Sequence, residues 1–398
     1  DTHCEQILDK GEGHMDGTGI ERFRVHVDVS VLEDLAIRLE RTRWPTQPDV
    51  APWTYGADLN YMRSLVEHWR AGYDWRRAEA RLNAFANFKA RIDGLDIHFI
   101  MDQGSGANPL PLILTHGWPG SIFEFLDVIA PLAHPERFGG STDDAFTVIV
   151  PSLPGYGFSS APAKPITPRD IAALWNRLMT THLRHPTYVA QGGDWGAIVS
   201  SWIAFDFADS VRALHLNLCA MNAGPDEGNP LSEEERDWIA RSQAHRKSEN
   251  GYWTMQGTKP QTVAYALTDS PAGLAAWIVE KFQGWTVPGT QSAPPFGYNE
   301  LIDNVMMYWL PGPNAANQLY VSLLEGMPRR LPDGRRIAVP TGMTLCPMDV
   351  SPPPPNSWIE RSYNLVHRRY ADRACHSLSM DHAALLVRVP RDLSPQYS

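Results

Sequence analysis

The stretch "YVAQGGDWGAIVSSW", residues 188–202, decides how this chain folds. A short run rich in strand formers stops at two glycines, and an apolar helical segment begins immediately afterwards. Asp194 stands at the centre of that bend, with Gly192 two residues before it and Gly196 two after. A strand that turns this sharply into a helix strains its central residue, so the flanking positions must lack bulk. Such a bend holds the central side chain clear of the sheet, near the positive end of the following helix. An aspartate in front of a helix is also a common N-terminal cap. The glycines on both sides and the strand before them favour the sharper bend.

Working outward, strands alternate with helices. "PLPLILTHG" (109–117) is a continuous apolar run of the kind found in strands buried on both faces. "AFTVIV" (145–150) follows, then "ITPRDIAALWNRLMTTHL" (166–183), a helix with Thr167 as cap and Pro168 in its first turn. Beyond the bend comes "VRALHLNLC" (211–219). This βαβ alternation predicts a mostly parallel sheet with helices on both faces. After "NAGPDEGNP" (222–230) only helical patterns occur. Ser232 with Glu235 caps one helix, Ser270 with Pro271 starts another, and "NELIDNVMMYWL" (299–310) and "NAANQLYVSLLEG" (314–326) follow. The strand pattern resumes in "RIAVPTGMTLCPMD" (336–349). A helical block between two strands of one sheet reads as a cap over the sheet's carboxyl edge, where open α/β sheets bind ligands.

Upstream, residues 20–87 read as a short strand followed by helices. Ser30 and Glu33 are expected to box the start of the first helix, which Pro45 ends. Asp93-Gly94 joins two alternating runs as a hairpin. The expected division is a disordered or cloning-derived tail over 1–19, a wrapping segment over 20–90, core over 91–224, helical cap over 225–330 and core again over 331–398.

The bulk numbers agree. The chain has 398 residues, 43% of them apolar and 14 of them tryptophan, as in a well-buried globular protein. A formal charge of −10 with no basic run excludes a nucleic-acid partner. Cys4, Cys219, Cys346 and Cys375 lie far apart without ligand spacing, so neither a zinc site nor a disulfide framework is expected, and a reducing cytoplasm is. No apolar run is long enough to span a membrane.

A carboxylate at the bend calls for partners. "HGWPG", His116 to Gly120, follows a strand, and there the Trp118 N–H, with the Trp195 N–H beside Asp194, would hold a developing oxyanion. His116, Gly117 and Pro119 would shape that turn and the substrate pocket. Alone, HGxP is an ordinary tight turn; paired with the bend, it reads as the oxyanion hole. The expected chain order is nucleophile, acid, histidine. Asp349 closes a strand, and His382 in "SMDHAALLVRVP" is taken as the base, with His376 its competitor. No clear strand pattern separates the two.

Together "HGWPGS", "PSLPGYGFS", "QGGDWG", "QGTKPQTVAYALTDSPAGLAAWIVEKFQGW" and "NVMMYW" resemble the microsomal-type epoxide hydrolases of the α/β-hydrolase fold, from about residue 22 to the end. The similarity is greatest to soluble bacterial members, which include enzymes of enediyne antibiotic biosynthesis. The resemblance implies hydrolysis of a small-molecule epoxide to a vicinal diol, without metal or organic cofactor and without a membrane anchor, and a homodimer. It implies Asp194 as nucleophile, Asp349 as charge-relay acid, His382 as base, and Tyr252 and Tyr320 as phenols that activate the epoxide oxygen. In place of the family's Gly-Gly-His-Phe-Ala-Ala this chain has Met380-Asp381-His382-Ala383-Ala384.

An aspartate suits this chemistry. Serine attacks carbonyl carbon, whereas an epoxide offers saturated carbon to an in-line displacement. A carboxylate, with a free pKa of about 4, is ready at neutral pH without a base. The abundant tryptophan and phenylalanine point to a bulky or aromatic epoxide. Two other readings share the bend. A haloalkane dehalogenase would need halide-binding Trp or Asn donors in place of paired tyrosines. A hydrolase-fold binding protein without activity would keep the fold and lose the chemistry.

Overall fold

The computed structural model describes residues 19–221, 224, 228–285, 293–324, 331–346, 349, 352–371 and 376. The tail over 1–18, Cys4, Cys375 and His382 lie outside the described residues.

The chain opens with β1 (Ile20–Phe23), then α1 (Val29–Glu40), α2 (Leu59–Ala71) and α3 (Trp75–Asn83). The cap of α1 is Asp28, which accepts the Ser30 N–H at 2.8 Å, so the expected Ser30–Glu33 box does not form. The aspartate lies two residues nearer the chain start and captures the first free N–H groups. β2 (Ala86–Ile92) and β3 (Leu95–Asp102) form the expected hairpin, with Asp93 and Gly94 both at positive φ.

The alternating part follows as β4 (Leu110–Thr115), α4 (Leu126–Ala133), β5 (Phe146–Pro151), α5 (Pro168–Arg177), β6 (Tyr188–Gly192), α6 (Trp195–Asp206) and β7 (Val211–Leu216). Thr167 and Asp170 cap α5 reciprocally. The helical block comprises α7 (Glu233–Glu249), α8 (Gly251–Thr258), α9 (Pro260–Asp269), α10 (Pro271–Gly284), α11 (Tyr298–Trp309), α12 (Asn314–Gln318) and α13 (Val321–Leu324). Ser232 caps α7 and Ser270 caps α10, as the sequence implies. The stretch expected as one helix over 314–326 breaks between α12 and α13. There Leu319 and Tyr320 donate to Ala316 and Asn317, tightening the turn at Tyr320.

β8 (Ile337–Leu345), α14 (Asn356–Ser362) and β9 (Tyr363–Tyr370) complete the described fold. β9 has no counterpart in the sequence reading. It is an outer strand, "YNLVHRRY", rich in polar side chains and paired only to β8, so its apolar signal is weak.

The nine strands form one sheet in the order β1-β2-β3-β5-β4-β6-β7-β8-β9. The pairs β1–β2, β2–β3 and β3–β5 are antiparallel; all later pairs are parallel. Thr115 of β4 pairs with Gly192 of β6, which pairs with Leu216 of β7, itself opposite Met343 of β8. This register lines up four carboxyl ends, and the loops leaving them meet at one edge. The helical block covers part of that edge: Asn304 Nδ2 donates to the Pro119 carbonyl at 2.6 Å and Tyr308 Oη to the Gly120 carbonyl at 2.5 Å.

Candidate active site

Asp194 occupies the bend with φ 49° and ψ −123°, a conformation that costs a non-glycine residue of order 1–3 kcal/mol. What holds it is backbone crowding. A Cβ on Gly192 would overlap Gly196, and a Cβ on Gly196 would overlap the Thr115 carbonyl. Both glycines let α6 lie against β4 and β6. Across the cleft a Cβ on Gly117 would collide with the Asp194 carboxylate. The "HGWPG" loop therefore presses its backbone directly onto the acid.

That contact is productive. The Trp118 N–H donates to Asp194 Oδ1 at 2.8 Å, and the Trp195 N–H also supports the carboxylate. Burial raises the Asp194 pKa, with the Asp349 charge acting in the same sense, while His376 and the two N–H groups oppose it. Oδ2 faces the other way, 3.5 Å from His376 Nε2. His376 Nδ1 lies 2.5 Å from Asp349 Oδ1, and the ring packs edge-on to Trp285 with centroids 4.7 Å apart. Burial works to lower the imidazole pKa, but Asp349, Asp194 and Glu124 outweigh it and raise the pKa to about 10.

The aromatic side of the site comes from the helical block. Tyr252 on α8 stacks on Trp118 with centroids 4.8 Å apart and planes within 6°. Tyr320, in the turn between α12 and α13, stands edge-on to Trp195 at 4.9 Å and to Tyr252 at 5.8 Å. Burial raises both phenol pKa values far above 10, and the Asp194 charge adds to this. Both groups stay protonated, so they are donors at neutral pH.

Both ring nitrogens of His116 are engaged by backbone groups. Its Nε2 accepts the Leu153 N–H at 3.0 Å, which leaves Nδ1 to donate to the Gly117 carbonyl at 3.0 Å. Burial lowers its pKa to about 4, keeping the ring neutral. It ties the β4 loop to the β5 loop. Pro119 is held through its carbonyl by Asn304.

The structure thus brings Asp194, Asp349, Trp118, Trp195, Tyr252 and Tyr320 to one place. Among the described residues the imidazole that joins them is His376, the competitor of His382, which itself lies outside the described residues. Glu124, Asn217 and Trp285 also reach this region, and local sequence pattern does not single them out as site residues. Trp285 had a signal, since it closes the long cap motif; Glu124 lies five residues past the HGxP turn, and Asn217 immediately follows β7. Among the described residues no cluster of His, Cys, Asp or Glu could hold a metal ion. No helix among them is long and apolar enough to cross a membrane.

A carboxylate on a strand-to-helix bend, answered by two N–H donors and an acid–histidine pair, defines a hydrolase of the α/β-hydrolase fold. Residues 20–125 match the family described as "Epoxide hydrolase N terminus", and residues 111–246 match "alpha/beta hydrolase fold". A relative from Stigmatella aurantiaca is 40% identical over 94% of this chain and 84% of its own. "Epoxide hydrolase 1" of Oryctolagus cuniculus is 33% identical over 94% of this chain and 88% of its own. The solved epoxide hydrolase of Aspergillus niger superposes with a TM-score of 0.82 at 30% identity, covering 95% of this chain and 96% of that one. This chain belongs to the epoxide hydrolase family.

Proposed function

We propose that this chain hydrolyses epoxides to vicinal diols through an ester formed on Asp194. The observation that carries the reading is the division of labour at one carboxylate: Oδ1 sits 2.8 Å from the Trp118 N–H while Oδ2 faces His376. Oδ2 attacks the ring carbon as the C–O bond breaks. The neutral Tyr252 or Tyr320 gives a proton to the oxygen that leaves. The carbonyl oxygen of the new ester is then Oδ1, which the Trp118 N–H already meets at 2.8 Å, with the Trp195 N–H also directed at the carboxylate.

His376, oriented by Asp349, takes a proton from the water that attacks this ester. Charge at Oδ1 is stabilised by the two N–H groups, each worth about 3 kcal/mol. The ring oxygen of the substrate needs phenol donors, which favours this reaction over halide displacement. The rings of Trp118, Trp195, Trp285, Tyr252 and Tyr320 around the acid suit a bulky or aromatic epoxide. A cytoplasmic location and a homodimer belong to the same proposal, and sedimentation of the purified protein tests the latter.

A single turnover of styrene oxide in ¹⁸O-water tests the mechanism. Label in the Asp194 carboxylate with an unlabelled diol is expected. Label confined to the diol would show that water attacks the epoxide directly.

A further inference from the structure

A small cavity adjoins the Asp194 carboxylate, lined by residues 115–117 of the β4 loop, Glu124, Phe125, Gly193, Asp194, Asn217 and His376. Trp118, Tyr252 and Tyr320 are not in its described lining, so it is distinct from the aromatic face of the site. Its volume, about 10 Å³ of space for water centres, is on the order of what one water molecule needs. We propose that Glu124, with Thr115 and Asn217, positions in this cavity the water that hydrolyses the Asp194 ester. The inference rests on the covalent mechanism proposed above.

The polar groups fit one water. A buried water needs two to four partners. Thr115 Oγ1 is fully buried and has no protein partner among the described residues. Asn217 Oδ1 accepts from Gln191 Nε2 at 3.2 Å, which leaves its amide N–H groups to donate. Glu124 supplies a carboxylate. It lies so tightly over the loop that one of its oxygens takes the place a Cβ would have on Gly120. Its charge reaches His376 strongly enough to help raise the ring's pKa. Donation of one proton to His376 Nε2 and the other to the acidic acceptor leaves a lone pair of the water free for the ester carbon.

The step balances. The water oxygen bonds to Asp194 Cγ, and its first proton passes to His376 Nε2. The tetrahedral oxyanion at Oδ1 collapses, the Cγ–Oδ2 bond breaks, and Oδ2, now bonded to the substrate carbon, takes the imidazolium proton and leaves as the second hydroxyl of the diol. The second water proton, left on the Asp194 carboxyl, returns to the tyrosinate that gave its proton during ring opening.

The test separates the two chemical steps. Wild type, Glu124→Gln and the near-isosteric Thr115→Val are mixed with excess styrene oxide, and rapid quench with intact-mass measurement follows the covalent adduct. Both variants are expected to alkylate within about twofold of wild type. Hydrolysis should slow, by about tenfold or more for Glu124→Gln, the range that loss of a positioning contact costs. Adduct then accumulates in the steady state, and kcat and KM fall together. Unchanged hydrolysis in both variants, or equal slowing of both steps, would overturn the assignment. A wild-type single turnover in ¹⁸O-water that labels the diol and leaves Asp194 unlabelled would instead sink the covalent mechanism and leave the cavity assignment without its basis.

Discussion

At residue 376 an imidazole sits between two carboxylates, and its charge depends on which of them is ionised. With Asp194 free, both acids favour the imidazolium, and the raised pKa follows. In the proposed mechanism alkylation would turn Asp194 into a neutral ester and remove one of those charges, so the ring would release its proton more readily just when a base is required. His376→Gln should therefore still alkylate while failing to hydrolyse. Its adduct should approach one per chain, with turnover down about 10²–10⁴-fold. His382→Gln should turn over normally, and adduct trapped in that variant alone would return the base to position 382. The bend at Asp194 was legible because its evidence is local: a strand, two glycines and a helix within a few residues. The position of His376 against Asp349 was not legible. His376 lies in no periodic element, and its place is set by Asp349 and by the Trp285 ring, 91 residues earlier.

Among the elements, α10 carries an unusual residue in Lys281. Its side chain is 8% exposed, 3.0 Å from Glu249 of α7 and 2.8 Å from Glu280, and lies 5.1 Å from the Tyr252 ring centroid. One ammonium thus joins α7, α8 and α10 around the phenol. Both glutamates keep about a quarter of their side chains in water (26% and 25%), so much of the pairing is screened. Lys281→Met keeps the apolar stem but leaves two carboxylates facing each other. It should cost about 2 kcal/mol, less than the loss of a partner from a fully buried pair. Urea titration followed by tryptophan fluorescence reads this directly. A loss under 0.5 kcal/mol, the size expected at an exposed site, would show that the ion pairs do not bind these helices together. Most elements were legible where period and caps agreed, as with Ser232–Glu235 and with Thr167 before Pro168. The break before α13 was not, because the tight turn at Tyr320 is stabilised by aromatic contacts with Trp118 and Trp195 that no local propensity records.

For the whole molecule, the N-terminal helices clasp the helical block from outside, and the load passes to the loop at Trp118. Asp303 of α11, 1% exposed, accepts from Tyr73 Oη at 2.8 Å and from Arg77 at 3.2 Å. Its neighbour Asn304 and, one turn on, Tyr308 hold the carbonyls of Pro119 and Gly120, next to Trp118. A shift of α11 would therefore move the N–H that binds Asp194 Oδ1. Asp303→Ala takes the acceptor from a half-buried phenol and from a guanidinium whose side chain is 51% exposed and can turn to water, a loss of about 1–2 kcal/mol. It should also lower kcat at temperatures well below unfolding if the Trp118 N–H is the oxyanion donor proposed above, because a misplaced donor costs rate before it costs structure. Arg38→Ala supplies the comparison. It removes an exposed contact from α1 to Asp269, whose side chain is 85% exposed, and should change stability by less than about 1 kcal/mol with kcat intact. Thermal melts and initial rates on styrene oxide, measured on both variants, separate the outcomes. Equal kcat in the two would mean that the N-terminal segment only covers the helical block, and that the loop at Trp118 keeps its place without help from α11.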